Sequence, residues 1–267
     1  MGNVKMSDQT LDFDTNGVVA TLTMNRPDAM NSLNGDMVSR FAELLPQIAA
    51  DDAIRVLVIT GNGRAFCAGA DLVEVLAGAD LPPGEADFLD HVCDDLMNPL
   101  RDFPKPVIAA LNGITMAGGL ELAMCCDLIT AAENAQIGDA HANFGVYPGA
   151  GGAAVLPRVV PHHVAKYLLF TGRTLSAAQM HQYGLVNEIY SASELLEETY
   201  KLAAEVASKS PIALRRMKAV ANSSLDVSRD AALEHEQVML RKHMRSYDMA
   251  EGLKAFGEKR KPEFQGR

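Results

Sequence analysis

The chain has 267 residues with 48% hydrophobic and 22% charged content, enough to bury roughly 70–75% of its unfolded surface without a disulfide or metal staple. Its net charge of −10 is unevenly spread: from Lys209 to Arg267 thirteen basic residues outnumber eight acidic ones, a net of +5 that leaves −15 on residues 1–208. An acidic body argues against nucleic-acid binding, whereas the basic last quarter suits either a small anionic ligand or an acidic neighbouring subunit.

At the N-terminus, Met1-Gly2-Asn3-Val4-Lys5-Met6 has no apolar run and no Ser or Thr at position 6, so neither a secretory nor a myristoylation signal is expected. Val18 to Met24 alternates with period two and predicts a strand, ended by Asn25-Arg26-Pro27. Met37, Val38, Phe41, Leu44, Leu45 and Ile48 recur at helical spacing and predict a helix over 34–50, with Asn34 as N-cap and a kink at Pro46. Val56 to Thr60 reads as a fully buried strand, followed by Asn62-Gly63 and the loop Phe66 to Asp71. A second buried strand, Pro106 to Leu111, runs into Asn112-Gly113 and Ala117-Gly118-Gly119, with a helix over 120–126 and short strands at 128–132 and 136–138. This repetition predicts an α/β domain with largely parallel pairing. After residue 190 the pattern becomes helical, with starts expected at Ser191-x-x-Glu194, Ser210-Pro211 and Asp248-x-x-Glu251.

Cys67, Cys93, Cys125 and Cys126 have neither C-x-x-C nor zinc-finger spacing, which suits a reducing compartment, and no aliphatic run approaches membrane-spanning length. A cytoplasmic protein is expected. Gly149-Ala150-Gly151-Gly152-Ala153-Ala154 fits the loose G-x-G-x-x-A pattern, but no acidic residue lies between Ala153 and Asn187 to hold a ribose. There is no G-x-S-x-G and no H-E-x-x-H, and His162-His163 has no carboxylate nearby. What remains is two glycine-bearing loops, each after a buried strand, and Glu121 in the first turn of the helix that follows the second. Such a Glu can simply complement the helix dipole. Its apolar neighbours Leu120, Leu122 and Ala123, and the exposed N–H groups of the preceding glycines, also suit proton transfer beside an oxyanion.

Phe66-Cys67-Ala68-Gly69-Ala70-Asp71-Leu72, Lys105 to Gly113, Ala117-Gly118-Gly119-Leu120-Glu121, Cys126-Asp127 and Pro148 to Gly152 together resemble the crotonase (enoyl-CoA hydratase/isomerase) superfamily. Thr171-Gly172-Arg173, Gly184-Leu185-Val186 and Ala255 to Arg260 follow in the family's order. The resemblance implies a crotonase-like spiral of β-β-α turns over residues 1–190 carrying an acyl-CoA site, and a helical region over 191–267 serving oligomerisation, as homotrimers or homohexamers, and CoA contact. The N–H groups of Ala70 and Gly118 would grip the thioester oxygen. Ala29, Ala68, Asp71 and Leu72 fall where the family cradles CoA, and Phe256 and Lys259 where a neighbouring subunit approaches the nucleotide. The segment 77–103, with Pro82-Pro83-Gly84 as a mobile start, falls where the acyl site is often covered, and Phe88, Leu89 and Val92 either line that site or pack on the core.

Hydratases of the family resemble this chain at Glu121 but carry a second Glu where His141 stands. His141 either takes over delivery of the α-proton or serves as scaffolding. Loss of the later carboxylate argues against an isomerase. The expected function is a 2-enoyl-CoA hydratase, a lyase that needs no metal or redox cofactor, CoA being part of the substrate. The alternatives are another acyl-CoA reaction (hydrolase, decarboxylase, isomerase or retro-aldol lyase) and a non-catalytic CoA- or RNA-binding relative.

Overall fold

Three aliphatic runs lie side by side as parallel strands in the computed structural model, which describes residues 5–6, 10–78, 82 and 84–267. Numbered along the chain, the strands are β1 (Lys5–Met6), β2 (Leu11–Asn16), β3 (Val19–Met24), β4 (Val56–Gly61), β5 (Ala65–Cys67), β6 (Val107–Leu111), β7 (Ile114–Met116), β8 (Leu128–Ala132), β9 (Gln136–Gly138), β10 (Thr174–Ser176) and β11 (Glu188–Tyr190). The larger sheet has the order β1-β2-β3-β4-β6-β8-β11 and the smaller one β10-β9-β7-β5. Successive pairs β4/β5, β6/β7 and β8/β9 each give one strand to either sheet, which is the spiral that the resemblance implies.

Both faces of the larger sheet are covered at its centre, so β4 and β6 show no polar alternation. On one face Leu57, Ile59, Ala109 and Leu111 meet α1 (Gly35–Ala50), which is capped by Asn34 through the Met37 N–H and runs unbroken through Pro46. The other face, with Val56, Val58, Ile108 and Ala110, is sealed by Leu195, Ala203 and Ala207 of a helix from the C-terminal region. Between β5 and β6 lie α2 (Leu72–Ala77), then α3 (Phe88–His91) and α4 (Asn98–Arg101), which flank a π-helical stretch Val92–Met97. After β7 comes α5 (Gly118–Met124), two residues earlier than its predicted start. Beyond β9, α6 (Leu156–Val159), α7 (His162–Thr171) and α8 (Ala177–Gln182) lead to β11, and α9 (Leu195–Ala207), α10 (Pro211–Ser224), α11 (Arg229–His243) and α12 (Tyr247–Glu258) complete the chain.

Ser210 caps α10 as expected. Ser191 bonds Glu194, yet α9 begins only at Leu195, after a turn. The third expected start is corrected: Ser246, not Asp248, caps α12. Asp248 is buried instead and accepts from the Ser210 hydroxyl at 2.6 Å and the Gln265 N–H at 2.8 Å, while Glu251 pairs with Arg260 at 2.6 Å. Both carboxylates are therefore spent on holding residues 260–267 against the helices. The N-terminal stretch Met1 to Val4 and Pro83, on which the signal and cover expectations partly rest, lie outside the described residues.

Candidate active site

The first glycine loop leaves β5 at Cys67 and is held by a single parallel bridge between Leu33 and Ala70. Leu33 N–H donates to the Gly69 carbonyl at 2.8 Å and Asp71 N–H to that of Leu33 at 2.7 Å, whereas the Ala70 N–H has no acceptor among the described residues. The second loop turns at Ala117, a non-glycine residue at φ 49°, ψ −121°, a conformation costing about 1–3 kcal/mol. That turn starts α5 at Gly118, whose N–H lies in the first helical turn and has no intrahelical partner. The two loops touch: a Cβ on Gly118 would lie 3.3 Å from the Ala70 nitrogen, and one on Gly69 3.3 Å from the Gly118 nitrogen. Two unpaired N–H groups thus stand side by side, and the strain at Ala117 fixes one of them.

Sequence reasoning missed the residues that hold the first loop. Asn31, fully buried at φ 55°, accepts from the Arg26 N–H at 2.8 Å and donates to the Asn62 and Ala65 carbonyls at 2.9 and 2.7 Å. Arg26 reaches Asp71 at 2.9 Å and the Ser32 carbonyl at 2.7 Å. The available signal was a polar pair, Asn31-Ser32, closing a Pro-Asp turn ahead of an apolar helix. Asp71 itself also caps α2 through the Val73 N–H, so its carboxylate is engaged structurally.

A cavity of about 380 Å³ opens in front of these loops, and Ala29, Ala68, Ala70, Asp71, Leu72, Gly118, Glu121 and His141 all line it. Most of the remaining wall is apolar: Val75, Leu89, Val92, Met116, Phe144, Val146 and Tyr147 contribute, with Ser32 beside them and Cys93 from the π-helical stretch. Phe88 instead packs against the core. Within one chain Phe256 and Lys259 do not reach the cavity. Phe256 stands 85% exposed near the end of α12, and Lys259, with φ 53°, caps it.

Glu121 is only 4% exposed. Its Oε1 accepts from the Ala150 and Gly152 N–H groups, both at 2.8 Å, and its Oε2 lies 3.9 Å from His141 Nε2. Burial pushes its pKa above the ordinary carboxylate value, the two N–H bonds and His141 opposing this only in part. The glycine loop that mimics a dinucleotide motif therefore serves a side chain: Gly152 has no room for a Cβ, which would sit 2.6 Å from Asp139 Oδ2. His141 opens a 3-10 turn after Ala140, which is left-handed at φ 62°, and its Nδ1 lies 3.0 Å from Asp139 Oδ1. Burial lowers the imidazole pKa, but the Asp139 hydrogen bond and the charges of Asp139 and Glu121 outweigh it, leaving a net upward shift. Among the described residues no cluster of His, Cys, Asp and Glu is arranged to hold a metal ion, and no helix is long and apolar enough to cross a membrane.

This chain is similar over nearly its whole length to known proteins. It is 39% identical to the 2,3-dehydroadipyl-CoA hydratase of Escherichia coli over 93% of this chain and 96% of that one. It is 38% identical to the crotonyl-CoA hydratase of Syntrophomonas wolfei, covering 92% and 94% of the two chains. The crystal structure of an enoyl-CoA hydratase from Bacillus anthracis superposes with a TM-score of 0.89 at 35% identity, over 97% of this chain and all of the other. A family model described as enoyl-CoA hydratase/isomerase matches residues 14–267. With the spiral fold, the paired N–H groups and the buried Glu121 all in place, the chain belongs to the enoyl-CoA hydratase/isomerase family.

Proposed function

We propose that this protein hydrates 2-enoyl-CoA thioesters, and the observation that carries the reading is the buried Glu121 on the same cavity wall as the unpaired Ala70 and Gly118 N–H groups. Those N–H groups hold the thioester oxygen. Glu121 takes a proton from water as its oxygen bonds to the β-carbon, and the electron pair of the double bond moves onto the thioester oxygen. A donor placed where such charge develops contributes about 3 kcal/mol. His141 Nε2–H then gives its proton to the α-carbon, and the proton gained by Glu121 returns to the ring across the 3.9 Å gap. Atoms and charge balance without a metal or redox cofactor.

Ala29, Ala68 and Leu72 at the cavity's edge suit the CoA moiety, with Asp71 braced behind by Arg26. No Lys or Arg lines the cavity among the described residues, so the acyl group it suits is apolar, closer to crotonyl than to an acyl chain ending in a carboxylate. Phe256 and Lys259 would meet CoA only from a neighbouring subunit, which supports a homotrimer or homohexamer whose sites are completed across subunits. The helical region 191–267 supplies that contact to the core of residues 1–190, and a cytoplasmic setting accords with the free thiols.

Incubation with crotonyl-CoA followed by mass spectrometry tests the reading. Gain of one water with the thioester intact is the expected result. Gain of water with release of free CoA would mark a thioesterase, and no change on any 2-enoyl-CoA would overturn the proposal.

A further inference from the structure

The geometry points to Asp139 as a positioning residue of this site, one whose carboxylate locks the His141 ring with Nδ1 turned inward and Nε2 presented to Glu121 and the cavity. Asp139 follows β9 and is 1% exposed. Because Ala140 is left-handed, the chain folds back at once: the His141 backbone N–H donates to the Asp139 carbonyl at 2.9 Å and, more weakly, to Asp139 Oδ1 at 3.3 Å, while the ring Nδ1 lies 3.0 Å from that same Oδ1. The carbonyl of Asp139 thus closes the turn, and its carboxylate oxygen is left to hold the ring.

A carboxylate accepts and does not donate, so Nδ1 must carry a hydrogen. The ring is then either neutral, with a bare Nε2 lone pair 3.9 Å from Glu121 Oε2, or doubly protonated, with Nε2–H directed at that oxygen. Carboxylates on both sides favour the second form. Asp139 therefore has a task that the turn alone does not require, since an acceptor for the His141 N–H need not be charged. Its second oxygen, Oδ2, is buried with no hydrogen-bond partner among the described residues, so its desolvation is not offset locally. The same Gly152 that donates to Glu121 leaves the space that Oδ2 occupies, and one loop thereby accommodates both carboxylates.

The groups facing His141 are Asp139 from the end of β9 and Glu121 from α5. The other titratable side chains lining the cavity are Asp71, paired with Arg26, together with Cys93 and Tyr147. The upward shift of the imidazole keeps the ring protonated to higher pH, so activity falls as pH rises through its pKa. Removing the Asp139 charge moves that fall to lower pH.

The rate readout rests on the hydratase reading, whereas the spectroscopic one does not. For Asp139→Asn, kcat/KM for crotonyl-CoA should drop about 10²-fold at alkaline pH. The alkaline limb of its profile should move to lower pH. In a His141→Gln background the same change should cost no more than about twofold, because the residue it acts through is gone. An unmoved alkaline limb, or an equal loss in both backgrounds, would overturn the proposal. Should Asp139→Asn fail to fold, NMR of the wild-type protein with 15N-labelled histidine decides, with the His141 signals identified by their loss in His141→Gln. A hydrogen on Nδ1 is expected throughout the pH range studied, and a bare Nδ1 would refute the assignment. If wild type leaves crotonyl-CoA unchanged, the hydratase reading fails while the NMR result still decides the role of Asp139.

Discussion

A carboxylate sealed from water destabilises the fold unless something compensates, and among the described residues Glu121 is compensated by two backbone N–H groups and an imidazole nearby. Its folded-state pKa is raised, so the unfolded chain gives up this proton at lower pH than the folded one, and ionised Glu121 weakens the fold near neutrality. Glu121→Gln keeps an oxygen to accept both N–H bonds and removes the charge. Turnover on crotonyl-CoA should fall by about 10²–10⁴-fold. The melting temperature should stay at or above that of wild type, and the acid limb of the rate profile should vanish. Retained turnover would remove Glu121 from the chemistry, and a large drop in melting temperature would contradict the electrostatic account. Glu121 was legible in the sequence because a charged residue stood alone among apolar ones in the first turn of a helix. The bond from Asp139 to His141 was not legible, since it depends on a left-handed residue between them that no alanine advertises. Asn31 was more accessible, since asparagine is a residue type that adopts the left-handed region and here it closes a Pro-Asp turn.

Among the elements, α5 bears the tightest constraint. A Cβ on Gly119 would lie 2.0 Å from the Cys67 carbonyl oxygen, so the helix packs against β5 with no space for a methyl group. That contact sets the distance between the loops bearing the Ala70 and Gly118 N–H groups. Gly119→Ala should cost about 1–3 kcal/mol by overpacking. Calorimetry should show the lower melting temperature, at about 2–4 °C per kcal/mol, alongside reduced turnover. An unchanged melting temperature would show that β5 and α5 can part freely. The long elements were readable because periodicity needs length. The buried strands β4, β6 and β8 and the helix α1 emerged within a residue or two of their ends. By contrast β5, β7, β9, β10 and β11 have three residues each, too few for a period, and only β9 was foreseen. The strand β2 was missed although Asn16-Gly17 marks its hairpin turn, with Gly17 at φ 61°.

On the scale of the molecule, α10 and α11 contain no buried residue, and α10 to α12 expose Met217, Leu225, Leu233, Leu240 and Phe256. So many large apolar side chains on one helical region suit contact with further copies of the chain. Sedimentation at micromolar concentration should show trimers or larger species, and a stable monomer would remove both the assembly and the role given to Phe256 and Lys259. The thiols carry a different consequence. Desolvation raises all four: Cys67 to about 12, Cys125 to about 11, Cys126 well above its ordinary value, and Cys93 too, where Glu121 adds to the effect. A conjugated thioester is a soft electrophile that alkylates thiolates, and thiols in their protonated form are poor nucleophiles. Cys93 lines the cavity itself, so the upward shift of its thiol lowers the share of thiolate that a conjugated thioester there would meet.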